Sequence, residues 1–132
     1  MKQILLDFLL SILVILLPLK PIMFGVGVLI FFDLFTGIYA SLKNGEKFDK
    51  KKLFNTVSKM VLFQISIISA FIIEKFIITQ LPIIEVVAGF LALVELQSIS
   101  NNVCKITGIS FFESIKSILN KNNIKIPKVK KD

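Results

Sequence analysis

Three charged residues stand inside otherwise apolar stretches of this chain: Asp33, Lys59 and Glu95. An unpaired charge in hydrocarbon is too costly to persist, so each residue needs an opposite charge, a proton or water around it. Two carboxylates and one ammonium can satisfy one another as an ion cluster between helices. They can also line a water-filled path, and both possibilities place the chemistry of this chain at membrane depth.

The stretch that carries Asp33 has the dimensions of a membrane span. Residues 22–42 contain no other charge, and these 21 residues form a helix of roughly 31 Å, the thickness of a hydrocarbon core. A carboxylate in mid-span costs about 2.5 to 3.5 kcal/mol, whereas each large apolar neighbour returns about 0.3 to 0.6 kcal/mol. The span therefore inserts. Gly37 lies one turn beyond Asp33 on the same helix face, where a second helix can approach closely.

The rest of the sequence predicts an all-α membrane protein with a single domain, 1–132. More than half of the residues, 55%, are hydrophobic, and the mean hydropathy is +0.82. We expect a bundle of four transmembrane helices, or alternatively three, followed by an amphipathic interfacial helix and a basic tail. The predicted spans are residues 4–19, 22–42, 56–79 and 83–101, the amphipathic helix is 110–120 and the tail is 121–132.

The first predicted span is short and ends at Pro18 and Pro21. It can cross the membrane, lie partly inserted at the interface, or be a cleaved signal peptide. The last reading is disfavoured by Asp7 and by the lack of a small-residue cleavage site.

The last predicted span is only marginally apolar because Glu95 offsets much of the insertion energy of its neighbours. One face of this helix carries the small residues Ala88, Gly89 and Ala92, which permit close helix contact. We therefore expect packing against other helices to hold it in place.

Depth relates the three charges to one another. Counted from the inner ends of their helices, Lys59 and Glu95 lie about six residues deep and Asp33 about nine, which is roughly 9 and 14 Å. A lysine side chain can reach across that difference. We predict a buried polar cluster of these three residues. It can connect helices within one subunit, connect subunits, or line a water-filled path.

The distribution of lysines predicts the orientation. If the amino terminus is cytoplasmic and four helices cross the membrane, thirteen lysines lie on the cytoplasmic side and only Lys20 and Lys75 lie outside. The carboxyl terminus is then cytoplasmic, and the orientation of the last three spans does not depend on whether the first segment crosses.

Beyond Gly108, Ser110 and Glu113 form a capping-box pattern that opens a short helix. This helix is too short and too polar to span, and we expect it to lie on the inner leaflet with the lysine-rich tail attracted to anionic lipid. A helix packed on its own bundle is the alternative. No aromatic platform accompanies the lysines, so a nucleic-acid partner is not expected. The apolar face of the helix consists of Phe111, Phe112, Ile115, Ile118 and Leu119.

The composition removes most enzyme classes. The chain has no histidine and one cysteine, which excludes histidine-based acid–base catalysis and most metal sites. We expect no enzymatic activity, no catalytic residue, no bound metal and no cofactor.

Several short motifs occur in a characteristic order. Asp33, Thr36 and Gly37 lie in the central span, Thr56 to Lys59 open the next one, and Glu95, Ser98 and Asn102 precede Gly108. In this order and spacing, over about residues 26–120, the chain resembles the bacteriophage holin family of the toxin-secretion and phage-lysis type. It departs from the family pattern at Asn101, where a glutamate is frequent, and at Ile109, Ser110 and Phe111, where the family has a proline-containing stretch after the glycine.

The resemblance implies a small phage protein of the host's inner membrane that forms homo-oligomers and opens lesions. A separate endolysin then reaches the cell wall without needing direct contact, and the host cell lyses and releases virus. The resemblance also adds Ser98 and Asn102 to the polar cluster and oligomerisation residues Asp33, Gly37, Lys59 and Glu95. Two other functions are open. A small oligomeric channel or transporter subunit would use the same intramembrane charges as an ion path. A structural membrane anchor would recruit a partner through its basic cytoplasmic tail.

Overall fold

The computed structural model describes residues 1–47 and 49–121, and all regular structure in this part of the chain is helical. Helix α1 is Lys2–Leu16, and a 3-10 turn, Leu17–Leu19, joins it to α2, Lys20–Lys43. The remaining helices are α3, Lys50–Phe76, α4, Ile83–Thr107, and α5, Phe111–Lys121.

The two prolines near the start do not interrupt the helical path as strongly as the sequence predicts. Pro18 lies in the first positions of the 3-10 turn and Pro21 in those of α2, where a missing N–H costs no helical hydrogen bond. The chain is therefore helical from Lys2 to Lys43, and these 42 residues include both of the first two predicted spans.

Capping residues explain where α3 and α4 begin and end. The Asp49 side chain accepts a hydrogen bond of 2.8 Å from the Lys51 amide, so α3 begins several residues before the predicted span. Glu74 near the end of α3 accepts one of 2.8 Å from the Ile84 amide and caps α4. Helix α4 continues to Thr107 because Gly108, with φ of 74°, adopts the left-handed conformation that ends it.

Helices α2, α3 and α4 form a bundle in which α2 packs most extensively on α4. Its apolar core lies toward the turn that joins α3 to α4, the turn end. The other end, which holds residues 44–47 and 49 and the carboxyl end of α4, is named the loop end, and polar side chains fill the bundle there. The core residues are Leu19, Val26, Ile30, Ile67, Phe71 and Leu91.

Three helical stretches are long and apolar enough to cross a membrane: Lys2–Lys43, Lys50–Phe76 and Ile83–Thr107. Their apolar side chains mostly face outward; Phe24, Phe54 and Phe90, for example, are each at least 66% exposed. A bundle with so few buried and so many exposed apolar residues is suited to lipid as its solvent.

Helix α1 differs from the other long helices because none of its residues is buried. At 15 residues it is shorter than the roughly 20 residues of a typical span, and its last residue, Leu16, packs against the core of the bundle. The structure thus presents α1 as an apolar arm beside a three-helix bundle.

Candidate functional site: an ion cluster between three helices

Lys59 joins the three helices of the bundle. Its Nζ lies 2.6 Å from Asp33 Oδ2 on α2 and 2.9 Å from Glu95 Oε2 on α4. The side chain of Glu95 is fully buried, and those of Asp33 and Lys59 are 14% and 28% exposed. Charge-assisted hydrogen bonds of this length, shielded from solvent, are strong and directional. Residues that are 26 and 36 positions apart thus meet within one chain.

Asn102 holds the other side of Asp33. Its Nδ2 donates to Asp33 Oδ1 at 3.0 Å, and it also lies 3.3 Å from the Asp33 carbonyl oxygen and 3.2 Å from Thr36 Oγ1. Both carboxylate oxygens of Asp33 therefore have a donor, one from α3 and one from α4. This fixes the direction of the carboxylate toward Lys59.

Gly37 provides the space for Asn102. A Cβ built on Gly37 would lie 3.4 Å from Asn102 Nδ2, which is at the tight limit of ordinary contact. The absence of a side chain at this position lets α4 approach α2 closely enough for the amide to reach Asp33.

The charges of the cluster do not balance. Two carboxylates surround one ammonium, and Oε1 of the fully buried Glu95 has no hydrogen-bond partner among the described residues. Lys59 is thus the one cation that compensates Glu95 in this part of the bundle. An arrangement of this kind depends strongly on Lys59, because removing it leaves buried negative charge without compensation.

A cavity of about 460 Å³ lies at the loop end beside the cluster. We name it the loop-end cavity, and both Asp33 and Lys59 line its inner wall. Ser98 also lines this cavity and is half-buried. Other polar residues that line it include Ser41, Asn44, Glu46, Lys52, Asn55 and Lys105.

The predicted small-residue face of α4 lies farther toward the turn end than the ion cluster. Ala88 and Ala92 are half-buried, whereas Gly89 is exposed and a Cβ built on it would meet nothing within 4 Å. Among the residues that the structure describes, no helix makes the close contact expected at Gly89.

Helix α5 has its capping hydrogen bond in place, since the Glu113 amide donates to Ser110 Oγ at 3.3 Å. Of its predicted apolar face, Ile115 and Ile118 are exposed and Leu119 is half-buried. The side chains of Phe111 and Phe112, and the tail beyond Lys121, lie outside the described residues.

Sequence reasoning missed several polar contacts. Gln64 Nε2 donates to the Met23 carbonyl at 3.1 Å, Lys43 Nζ donates to the Ile106 carbonyl at 2.5 Å, and Lys52 Nζ donates to Ser41 Oγ. The signal for Gln64 was present, because a lone amide in an apolar span needs a partner. That the partner is a backbone carbonyl could not be predicted, because every residue has one and no sequence pattern marks it.

The described residues contain no group of three or more His, Cys, Asp or Glu side chains placed to hold a metal ion. The site is thus described by ion pairs and amide hydrogen bonds between helices, in a bundle whose outer surface is apolar.

Comparison with known proteins agrees with this description. No curated protein and no solved structure matches the chain. The profile of the bacteriophage holin family matches residues 5–123, which is nearly the whole chain. On this match, and with three helical stretches able to span a membrane, the chain is an integral membrane protein that belongs to the bacteriophage holin family.

Proposed function

We propose that this chain oligomerises in the inner membrane of a phage-infected bacterium and permeabilises it, so that an endolysin reaches the cell wall. The observation that carries the proposal is the family match over residues 5–123. The chain needs no catalytic group for this role, since the effect is a physical opening of the membrane.

The structure supports a protein that is solvated by lipid as a single chain and can also associate with copies of itself. Its charges at membrane depth are paired within the chain through Lys59. Its exposed surface includes Gly89, where a second helix could approach without meeting a side chain. We propose the face of Ala88, Gly89 and Ala92 as a contact between copies, because small residues permit close van der Waals packing in lipid.

The proposed orientation follows the lysines. The loop end carries Lys43, Lys50, Lys51, Lys52 and Lys105, and the turn end carries Lys20 and Lys75. The loop end is therefore placed in the cytoplasm, together with α5 and the carboxyl terminus. Helix α5 then lies along the inner leaflet with Ile115 and Ile118 toward lipid.

The function is tested by controlled expression in bacteria together with an endolysin that has no export signal of its own. We expect induction to collapse the membrane potential, measured with a potential-sensitive dye, and to release the endolysin, measured as a fall in turbidity. Accumulation of the protein in the membrane fraction with neither effect would contradict the proposal. Flux of one solute without endolysin release would instead favour the channel or transporter function.

Self-association is tested separately by cross-linking in membranes. Gly89→Leu should reduce the cross-linked oligomer, because a large side chain separates the proposed helix contact. Gly25→Leu is the matched control: Gly25 is also exposed in a long apolar helix, and a Cβ built on it likewise meets nothing within 4 Å. An equal oligomer yield for both variants would place the contact elsewhere.

A further inference from the structure

We propose that the loop-end cavity binds the phosphate group of an anionic phospholipid. The cavity has a volume of about 460 Å³, which lies within the range of roughly 300 to 1,000 Å³ that is usual for ligand sites. It lies between the ends of three helices that can span a membrane.

The cavity offers cationic donors that the bundle does not use up. Lys105 lines it and has no carboxylate within ion-pair distance among the described residues. Lys52 also lines it, and its Nζ donates to Ser41 Oγ and lies 3.6 Å from Glu46 Oε2 in a pair whose side chains are 46% and 60% exposed. Because an ammonium has three N–H donors, Lys52 keeps one for a ligand. The side-chain amides of Asn44 and Asn55 add further N–H donors.

The acidic groups of the cavity do not favour a cation. Both carboxylate oxygens of Asp33 already accept hydrogen bonds, from Lys59 and from Asn102. Lys59 is in turn engaged by Asp33 and Glu95. The charged side chains that line the cavity are Lys52, Lys59 and Lys105 against Asp33 and Glu46, a net charge of +1. Glu95 is fully buried and does not line the cavity, so an anion there meets Lys52 and Lys105 before the cluster's carboxylates.

The cavity lies at the ends of membrane-spanning helices, which favours a lipid as the source of the phosphate. The Lys43 ammonium donates to the Ile106 carbonyl, which ties the carboxyl ends of α2 and α4 together at the cavity. The ends of spanning helices lie at the level of the lipid headgroups. Apolar neighbours of the lining residues are exposed, with Leu42 at 58%, Leu53 at 39% and Val103 at 39%, so acyl chains have a surface to contact.

The test titrates the full chain in neutral detergent with phosphatidylglycerol and, separately, with phosphatidylcholine, and follows bound lipid by native mass spectrometry. We expect phosphatidylglycerol to bind more tightly. The pair Lys52→Gln and Lys105→Gln should weaken its binding roughly ten- to a hundredfold, because two charge-assisted hydrogen bonds are lost. The matched control pair is Lys20→Gln and Lys75→Gln, which removes the same charge from exposed positions outside the cavity.

Equal binding of the two lipids, or equal weakening by the two variant pairs, would overturn the proposal. Binding of inorganic phosphate alone, measured by the shift in unfolding temperature, distinguishes a lipid phosphate from free phosphate as the ligand. If inorganic phosphate binds as tightly as phosphatidylglycerol, the cavity is a phosphate site but the assignment to lipid is overturned. Lys105→Gln alone keeps the test valid if the double variant does not fold, because Lys105 forms no ion pair in the described part of the chain. This single variant should still weaken phosphatidylglycerol binding about tenfold.

Discussion

Replacing Lys59 with methionine should destabilise the bundle severely. Methionine has a similar length and apolar character to the lysine stem, so the main loss is the ammonium that lies 2.6 Å from Asp33 and 2.9 Å from Glu95. At an effective dielectric constant of about 20, each pair has a gross attraction of about 6 kcal/mol, much of which offsets the desolvation of the charges. Removing one partner of a buried pair leaves a net cost of about 3 to 5 kcal/mol.

The measurement is reversible unfolding in mixed micelles, with helix content followed by circular dichroism as denaturing detergent is added. Lys75→Met is the matched control on the same helix, since Lys75 is exposed and has no carboxylate within ion-pair distance in the described part of the chain. Its cost should stay within about 0.5 kcal/mol.

A triple variant distinguishes the loss of charge compensation for Asp33 and Glu95 from the loss of side-chain packing. Adding Asp33→Asn and Glu95→Gln to Lys59→Met removes both stranded carboxylates and should recover at least half of the lost stability. If Lys59→Met costs no more than Lys75→Met, Lys59 does not compensate the two carboxylates. If the neutral triple variant is as unstable as the single one, the loss comes from packing and not from uncompensated charge.

Three further predictions concern the packing and ends of the helices, each measured by the same unfolding assay. Gly37→Leu should cost about 1 to 3 kcal/mol, because its side chain displaces Asn102, whereas Gly25→Leu should be close to neutral. Asp49→Ala should cost about 0.5 to 2 kcal/mol through loss of the cap on Lys51, and Asp49→Ser should retain most of the stability. Deleting residues 2–15 should leave the unfolding midpoint of α2 to α4 unchanged, since no residue of α1 is buried, and a clear fall would show that α1 packs on the bundle.

The fold class could be predicted because each element carries its own signal. An uninterrupted apolar run of about 20 residues must be helical in lipid, where every backbone group needs a partner within its own segment. The runs around Asp33, Lys59 and Glu95 therefore indicated helices before any contact was known. Their end points were less certain, because α3 and α4 begin and end at caps made by Asp49, Glu74 and Gly108.

The ion cluster could be predicted only in part from the sequence. Helical rise placed Lys59 within reach of both carboxylates, but reach alone does not distinguish contact within a chain from contact between chains. Gln64 and Ser41 show the limit more clearly, since their partners, the Met23 carbonyl and Lys52, are set by how two helices approach each other.

The sequence by itself determined which segments are helices and that charges lie at membrane depth, because hydrophobic length and helical rise are local properties. Only the tertiary structure decided that Lys59 holds Asp33 and Glu95 together, that Asn102 occupies the space over Gly37, and that no residue of α1 is buried. Those outcomes depend on distances of a few ångströms between residues up to 69 positions apart. Such distances are fixed by the packing of whole helices against one another.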